Sequence, residues 1–319
     1  MALWGMRFDL RNADPSGGGT TERLQAALEM AQWADERGFA VIVLSEHHGS
    51  ADGYLPSALM MAAAVAARTS RIAVSVSVVP APLYDPLKLA EDIAVLDHIA
   101  QGRASVVLGN GYVPSEFAMF DVPLSERAAR TEEVIETCLA AWTGEPFAYR
   151  GRTVTVRPRP LSPANRLLAL GGNARPAARR AVRHGLRFMP SSQAGWDLFR
   201  EERLAVGKKD PGATYAGDTG FVHCAVDPER AWQVVGPAAL HESNAYGAWA
   251  AEAGITTGYR VYRDLAELRA SGQYRVLTPA ELAAEATGYV VLHPLMGGLP
   301  VDEAWASLQL IEAEVLGRS

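Results

Sequence analysis

Cysteine is nearly missing: Cys138 and Cys224 are the only two among 319 residues. Two thiols build neither a disulfide framework nor a zinc site, and so low a count suits a reducing compartment. No apolar run approaches the roughly 18 residues of a membrane span. The arginines are scattered over helical and turn segments with no basic block. Together with a net charge of -6, this argues against a general nucleic-acid surface. The opening Met1-Ala2-Leu3-Trp4-Gly5-Met6-Arg7-Phe8 has neither the charged region nor the apolar core of a secretory signal. The expectation is a cytoplasmic chain with no membrane and no nucleic-acid partner. Short-period repeats and low-complexity tracts are also absent.

What remains is an ordinary enzyme-like composition, 49% hydrophobic, able to fill a sizeable core. The length allows one large α/β domain or two smaller ones. Eight β-runs can be marked, at 4–10, 41–44, 72–79, 104–108, 167–170, 186–189, 220–225 and 289–293. Helical segments follow them at 20–37, 57–68, 86–100, 126–142, 175–184, 196–206, from 227, and 301–316. The first connection passes through the turn-rich Asp14-Pro15-Ser16-Gly17-Gly18-Gly19, and 147–156 reads as a hairpin turning at Gly151. Strands alternating with helices imply a parallel sheet, and eight such units over about 300 residues suggest a closed (β/α)8 barrel as a single domain, 1–319. An open doubly wound sheet is the runner-up, but no G-x-G-x-x-G follows the first strand. The segment 236–288 carries His241, Tyr246, Trp249, Tyr259, Tyr262 and Tyr274. It reads as the rest of the seventh helix plus an insertion near the barrel mouth, or as a surface excursion with ordinary aromatic packing.

Parallel α/β folds place their chemistry at the carboxyl ends of the strands. The second run leads straight into Ser45-Glu46-His47-His48-Gly49, and the fourth into Gly109-Asn110-Gly111-Tyr112. Alternation puts Val41, Val43, Ser45 and His47 on one face and Ile42, Leu44, Glu46 and His48 on the other. Only one histidine can therefore face the axis easily. A metal reading of Glu46, His47 and His48 is poor, because consecutive residues do not converge on one ion. Gly171-Gly172-Asn173-Ala174-Arg175 opens a helix, where free amides and the helix dipole favour an anion. Arg179, Arg180 and Arg183 read as the solvated face of that helix, and Glu132, Glu133 and Glu136 as surface charge on the one before the hairpin.

The order and spacing of several segments carry a resemblance. They are Ser45-Glu46-His47-His48-Gly49, the stretch from Asp85-Pro86 through Asp97 to Gly102-Arg103, and Gly109 to Phe117. With them stand Trp142 to Phe147, Pro158-Arg159-Pro160, Gly171-Gly172-Asn173 and Leu292 to Pro300. Over almost its full length the chain resembles the bacterial luciferase-like family of flavin-dependent oxidoreductases, which are (β/α)8 TIM barrels.

The resemblance implies reduced FMN as a dissociable cofactor, used with O2 on a small organic substrate, with a separate flavin reductase as a possible supplier. The alternative is the deazaflavin coenzyme F420 in hydride transfer without oxygen, and a second alternative is a non-catalytic flavin-binding protein. It favours His47 as the proton-managing residue, with Glu46 orienting a histidine or lining the substrate pocket. It implies a non-proline cis peptide at Ser77–Val78 supporting the flavin ring. It also implies flavin contacts from Asn110, Gly111, Tyr112, Gly171, Gly172, Asn173, Ala174 and Arg175. Luciferases proper place an arginine where Asn110 stands, so phosphate binding must lean on the glycine-rich helix start. The family often forms homodimers through its second and third helices, which the alanine-rich 58–67 allows. A barrel hydrolase or aldolase finds no support, since neither a Schiff-base lysine nor a convergent metal set stands at a strand end.

Overall fold

The computed structural model describes residues 2–12, 19–213 and 220–318; the turn proposed at 14–18 lies outside them. In chain order the elements begin with β1 (Leu3–Phe8), α1 (Thr20–Glu36), β2 (Val41–Leu44), α2 (Ala58–Arg68), β3 (Ala73–Pro80) and α3 (Pro86–Ile99). Next come β4 (Ala104–Gly109), α4 (Pro114–Met119), α5 (Arg127–Ala141), β5 (Phe147–Tyr149), β6 (Arg152–Val154) and α6 (Ala164–Leu167). Then follow β7 (Leu168–Gly171), α7 (Arg175–His184), β8 (Arg187–Met189), α8 (Gln193–Ala205), β9 (Phe221–Cys224) and α9 (Pro228–Glu252). The chain closes with α10 (Leu265–Ala270), β10 (Tyr274–Leu277), α11 (Pro279–Glu285), β11 (Tyr289–Leu292) and α12 (Val301–Glu314).

Seven strands form one curled parallel sheet in the order β11-β1-β2-β3-β4-β7-β8. Each run expected from the sequence is a strand, and the hairpin is β5–β6. Ring closure is where expectation and structure part. The seventh expected strand, β9, does not join this ladder among the described residues but pairs in parallel with β10. The reason lies within 236–288: Tyr274 and Val276 alternate with Arg275 and Leu277, burying one face, so this stretch supplies β9 with a ladder partner. The seventh helix, α9, continues through Gly236 and Pro237 for 25 residues, so the first part of 236–288 is the rest of that helix, as expected. No helix among the described residues is long and apolar enough to cross a membrane.

The alternation of the strands sorts two chemistries onto the two faces of the sheet. Met6, Phe8, Ile42, Leu44, Val74, Val76, Val106 and Leu108 are all buried and fill the layer between sheet and helices. The opposite, concave face carries Arg7, Asp9 and Arg11 from β1 and its exit, and Ser45 and His47 beyond β2. Local signals end the elements as the residues demand. Asp85 caps α3 by accepting from the amides of Leu87 (3.0 Å) and Lys88 (3.1 Å), with Pro86 in the first turn.

One buried group makes the fold pH-sensitive. His223 on β9 is buried, and desolvation lowers its pKa to about 4. The ring is therefore neutral in the folded state and takes a proton in the unfolded chain below about pH 6.5. Stability should fall as pH drops from about 6.5 toward 4, by up to about 1.4 kcal/mol per pH unit for one proton. Urea unfolding of His223→Gln across that window should show a flatter slope than the parent; parallel slopes would remove this assignment.

Candidate active site

Beyond the carboxyl end of β2 the chain keeps the strand's alternation, and His47 projects on the concave side. Its Nδ1 lies 2.7 Å from Glu116 Oε1, which also accepts the His48 amide at 2.8 Å. Glu116 is buried on α4, after the β4 exit. A carboxylate against Nδ1 holds that nitrogen as the donor, so a neutral imidazole presents Nε2 as its acceptor. The sequence reading gave Glu116 no role, although it stands within one of the matching segments. What brings it to His47 is the return of the chain through β3 and β4.

Glu46 takes the other face. Its carboxylate accepts from the Tyr84 hydroxyl at 2.6 Å and the Ala58 amide at 3.1 Å, and stands 3.2 Å from His48 Nε2. It thus orients a histidine, but His48 rather than His47, and anchors the first turn of α2. Glu46→Ala leaves the half-buried Tyr84 hydroxyl and the buried Ala58 amide without their acceptor. A loss of about 2–4 kcal/mol in chemical unfolding is expected; a change below about 0.5 kcal/mol would contradict this structural role.

Above His47 the mouth is roofed by aromatic rings. Trp249 stacks on the imidazole, with centroids 4.4 Å apart and planes at 27°. Tyr54, Tyr246 and Tyr112 meet it edge-on at 4.9, 5.7 and 6.0 Å. Tyr246 and Trp249 come from α9, within the segment 236–288. The Tyr54 and Tyr246 hydroxyls lie 2.6 Å apart, and Arg7 donates to Tyr246 at 3.0 Å. Burial, followed by the charge of Glu116, holds the Tyr112 phenol above its ordinary pKa.

Deeper in the concavity, Asp9, Glu242 and His293 gather beside a cavity of about 100 Å³ that Arg7, Tyr259 and Tyr274 help to line. His293 Nε2 is 3.7 Å from Asp9 and its Nδ1 is 3.5 Å from Glu242. The two carboxylates approach opposite ring nitrogens, although one ligand atom from each of the three residues lies within 4.8 Å of the others. Burial opposes the charge on Asp9, but His293, Arg11 and Arg7 outweigh it and hold that carboxyl well below the usual range.

The residues expected to meet a flavin fall at the exits of β3, β4 and β7. The Ser77–Val78 peptide is cis, and the β3–β4 register shifts between Ser77 and Val79. Val78 projects toward β4 and β7: a Cβ added at Gly171 would stand 3.0 Å from Val78 Cγ1, which explains a glycine there. Gly111 has φ +66°, and a Cβ would meet the Phe117 ring at 2.8 Å. Asn173 ties two exits together, accepting from the Ser191 amide (3.0 Å) and the Ser192 hydroxyl (3.1 Å). Ala174 precedes α7, whose start has no side-chain cap. Arg175 turns away to Glu202 (2.8 Å) and Glu201 (2.7 Å) on α8.

Arg180 departs from its expected solvated face. It folds inward, donating to Asn110 Oδ1 at 3.3 Å and to Glu132 at 2.8 Å. Glu132, read as surface charge, gathers Arg180, Arg183 and His184. The one-dimensional pattern hid this, because Glu132 and Arg180 belong to different helices brought together only in the fold.

Comparison with known proteins places the chain in a family. Residues 6–286 match the family model described as luciferase-like monooxygenase. A monooxygenase from Streptomyces bottropensis superposes with a TM-score of 0.77 at 25% identity, over 99% of both chains. The oxygenating constituent of 3,6-diketocamphane monooxygenase from Pseudomonas putida, solved with FMN, gives 0.74 at 19% identity, over 100% of this chain and 99% of that one. An F420-dependent glucose-6-phosphate dehydrogenase from Kineococcus radiotolerans is 32% identical over 187 residues, spanning 55% of each chain.

Proposed function

We propose that this chain, which belongs to the luciferase-like monooxygenase family, is an oxidoreductase that takes reduced FMN and O2 and oxygenates a small organic substrate. The observation that carries the reading is His47, fixed by Glu116 on the concave side and shielded from water by Tyr54, Tyr112, Tyr246 and Trp249.

The residues present fit a flavin. Val78, on the cis bulge, offers an apolar ridge for a flat ring system. The uncapped start of α7, reached through Gly171 and Gly172, offers backbone donors for a phosphate, with Asn110 and Arg180 nearby. When bound, reduced flavin supplies the electrons and the oxygen chemistry. The chain supplies the rest. His47 Nε2 takes or returns a proton at the reacting centre, Glu116 keeps its tautomer, and the aromatic roof excludes water. Closure of the eight strands into a complete barrel would place this site at its open end. A separate reductase would supply the flavin, and homodimers would form through α2 and α3, where Met60, Val95 and Ile99 remain exposed.

A second reading is hydride transfer with coenzyme F420, favoured by the dehydrogenase relative. Titration with FMN and with F420, oxidised and reduced, followed by oxygen uptake, separates the two. FMN binding with oxygen uptake supports the monooxygenase. F420 binding without uptake overturns it, and binding of neither removes the flavin reading.

A further inference from the structure

We infer that Arg11 selects the substrate, its guanidinium donating to the neutral carbonyl oxygen of a planar aromatic compound that takes the place of the Trp249 indole above His47. The inference rests on the oxidoreductase reading above and deepens it by naming a substrate class.

Three observations carry it. First, Arg11 is fully buried yet incompletely satisfied. Its Nη1 binds Asp52, and its Nε stands in a 3.4 Å ion pair with Asp9. Nη2 has no hydrogen-bond partner among the described residues, and Nε makes none of hydrogen-bond geometry. Leaving a buried N–H of a charged group unpaired is costly, so such a donor is held for an acceptor.

Second, the charge around it is already balanced. Burial opposes the charge on Asp52, but His241, Arg11 and Ser50 outweigh it and keep this carboxyl well below the usual range. With Asp9 also ionised, two carboxylates face Arg11. An anionic ligand would add a further buried negative charge, whereas a carbonyl oxygen takes the free N–H and brings none.

Third, the walls have the shape of a flat ring. The Arg11 guanidinium lies over the faces of Tyr54, Tyr246 and Trp249, 4.6, 4.8 and 4.9 Å from their centroids. The same three rings meet the His47 imidazole, which sets Arg11 and His47 against one aromatic cluster. The indole stacked on His47 is only half-buried and sits near the end of α9, whereas Tyr54 and Tyr246 are buried. Trp249 is thus the ring that a ligand most readily displaces. A substrate ring entering there lies against His47 on one side and can turn its oxygen toward Arg11.

The test uses four probes against the full chain by isothermal titration calorimetry: 2-acetylnaphthalene, 2-ethylnaphthalene, 2-acetyldecalin and 2-naphthoate. The parent should bind 2-acetylnaphthalene at least about tenfold more tightly than the oxygen-free 2-ethylnaphthalene, the worth of one hydrogen bond to a charged donor. Non-planar 2-acetyldecalin and anionic 2-naphthoate should also be weaker. Arg11→Met should bring the acetyl-to-ethyl ratio close to one. Arg11→Lys keeps a cation for Asp9 and Asp52, which guards against simple misfolding, and should lose most of the ratio as well. Parallel FMN titrations keep the two readings apart. The probe pattern without FMN binding defeats the flavin reading alone, and FMN binding with no probe preference defeats this inference alone. Tightest binding of naphthoate, or an unchanged ratio in both Arg11 variants, overturns it.

Discussion

Replacing His47 by alanine is expected to lower turnover by about 10²- to 10⁴-fold, the range that a positioned general acid or base contributes. The readout is kcat with the first substrate that supports oxygen uptake. Flavin affinity, followed separately, should change little, because the proton-handling nitrogen is lost while the β3, β4 and β7 exits stay intact. Glu116→Gln should produce a smaller loss with a shifted pH–rate profile: an amide can still meet Nδ1 but carries no charge to fix the tautomer. His48→Ala provides the contrast. That ring is held by Glu46 and packs on Phe120, with centroids 4.8 Å apart, so its loss should lower stability more than rate. Equal and small effects on kcat at both histidines would end the assignment of His47.

The largest loss of stability should come from Asp35→Ala. This carboxylate, in the last turn of α1, accepts the amides of Ser70 (2.8 Å), Arg71 (2.9 Å) and Ile72 (2.6 Å), and the Ser70 hydroxyl at 3.1 Å. It thereby organises the turn that starts β3. Burial opposes its charge, but the amides of Ser70, Ile72 and Arg71 prevail and hold the pKa below its ordinary value. The stabilisation is therefore fully present at neutral pH and fades only as acid protonates the folded carboxyl. Removing the acceptor strands three backbone donors at about 1–3 kcal/mol each where water cannot replace it, so a loss of about 3 kcal/mol or more is expected in chemical unfolding. Asp35→Asn, retaining one acceptor oxygen, should fall between. A loss below about 1 kcal/mol for alanine would show that water substitutes freely.

Asp35 also shows where one-dimensional reading stops. In the sequence it is an ordinary charge near the end of an amphipathic helix, and nothing nearby reveals the amides it serves. Arg180 and Glu132 are the same case in reverse: both carry the pattern of solvated helix faces, yet they meet between α5 and α7 beside Asn110. β10 was missed for another reason. Its four residues lie among aromatics that read equally well as an insertion, and only the pairing with β9 makes them a strand. By contrast, the parallel strands, the start of α3 at Asp85-Pro86 and the cis position at Ser77–Val78 follow the expectations closely. Short-range alternation, capping chemistry and the ordered family segments carry those features.

Two-residue periodicity in β2 was enough to set His47 and Glu46 on opposite faces, since that choice depends only on neighbours along the chain. Which carboxylate grips each imidazole, which rings cover the mouth and how Arg11 comes to lie under them were decided by the fold. These contacts join β1, β2, α4 and α9, whose separation in the sequence leaves no periodic signal, and only the curling of the sheet brings them within hydrogen-bonding and stacking distance.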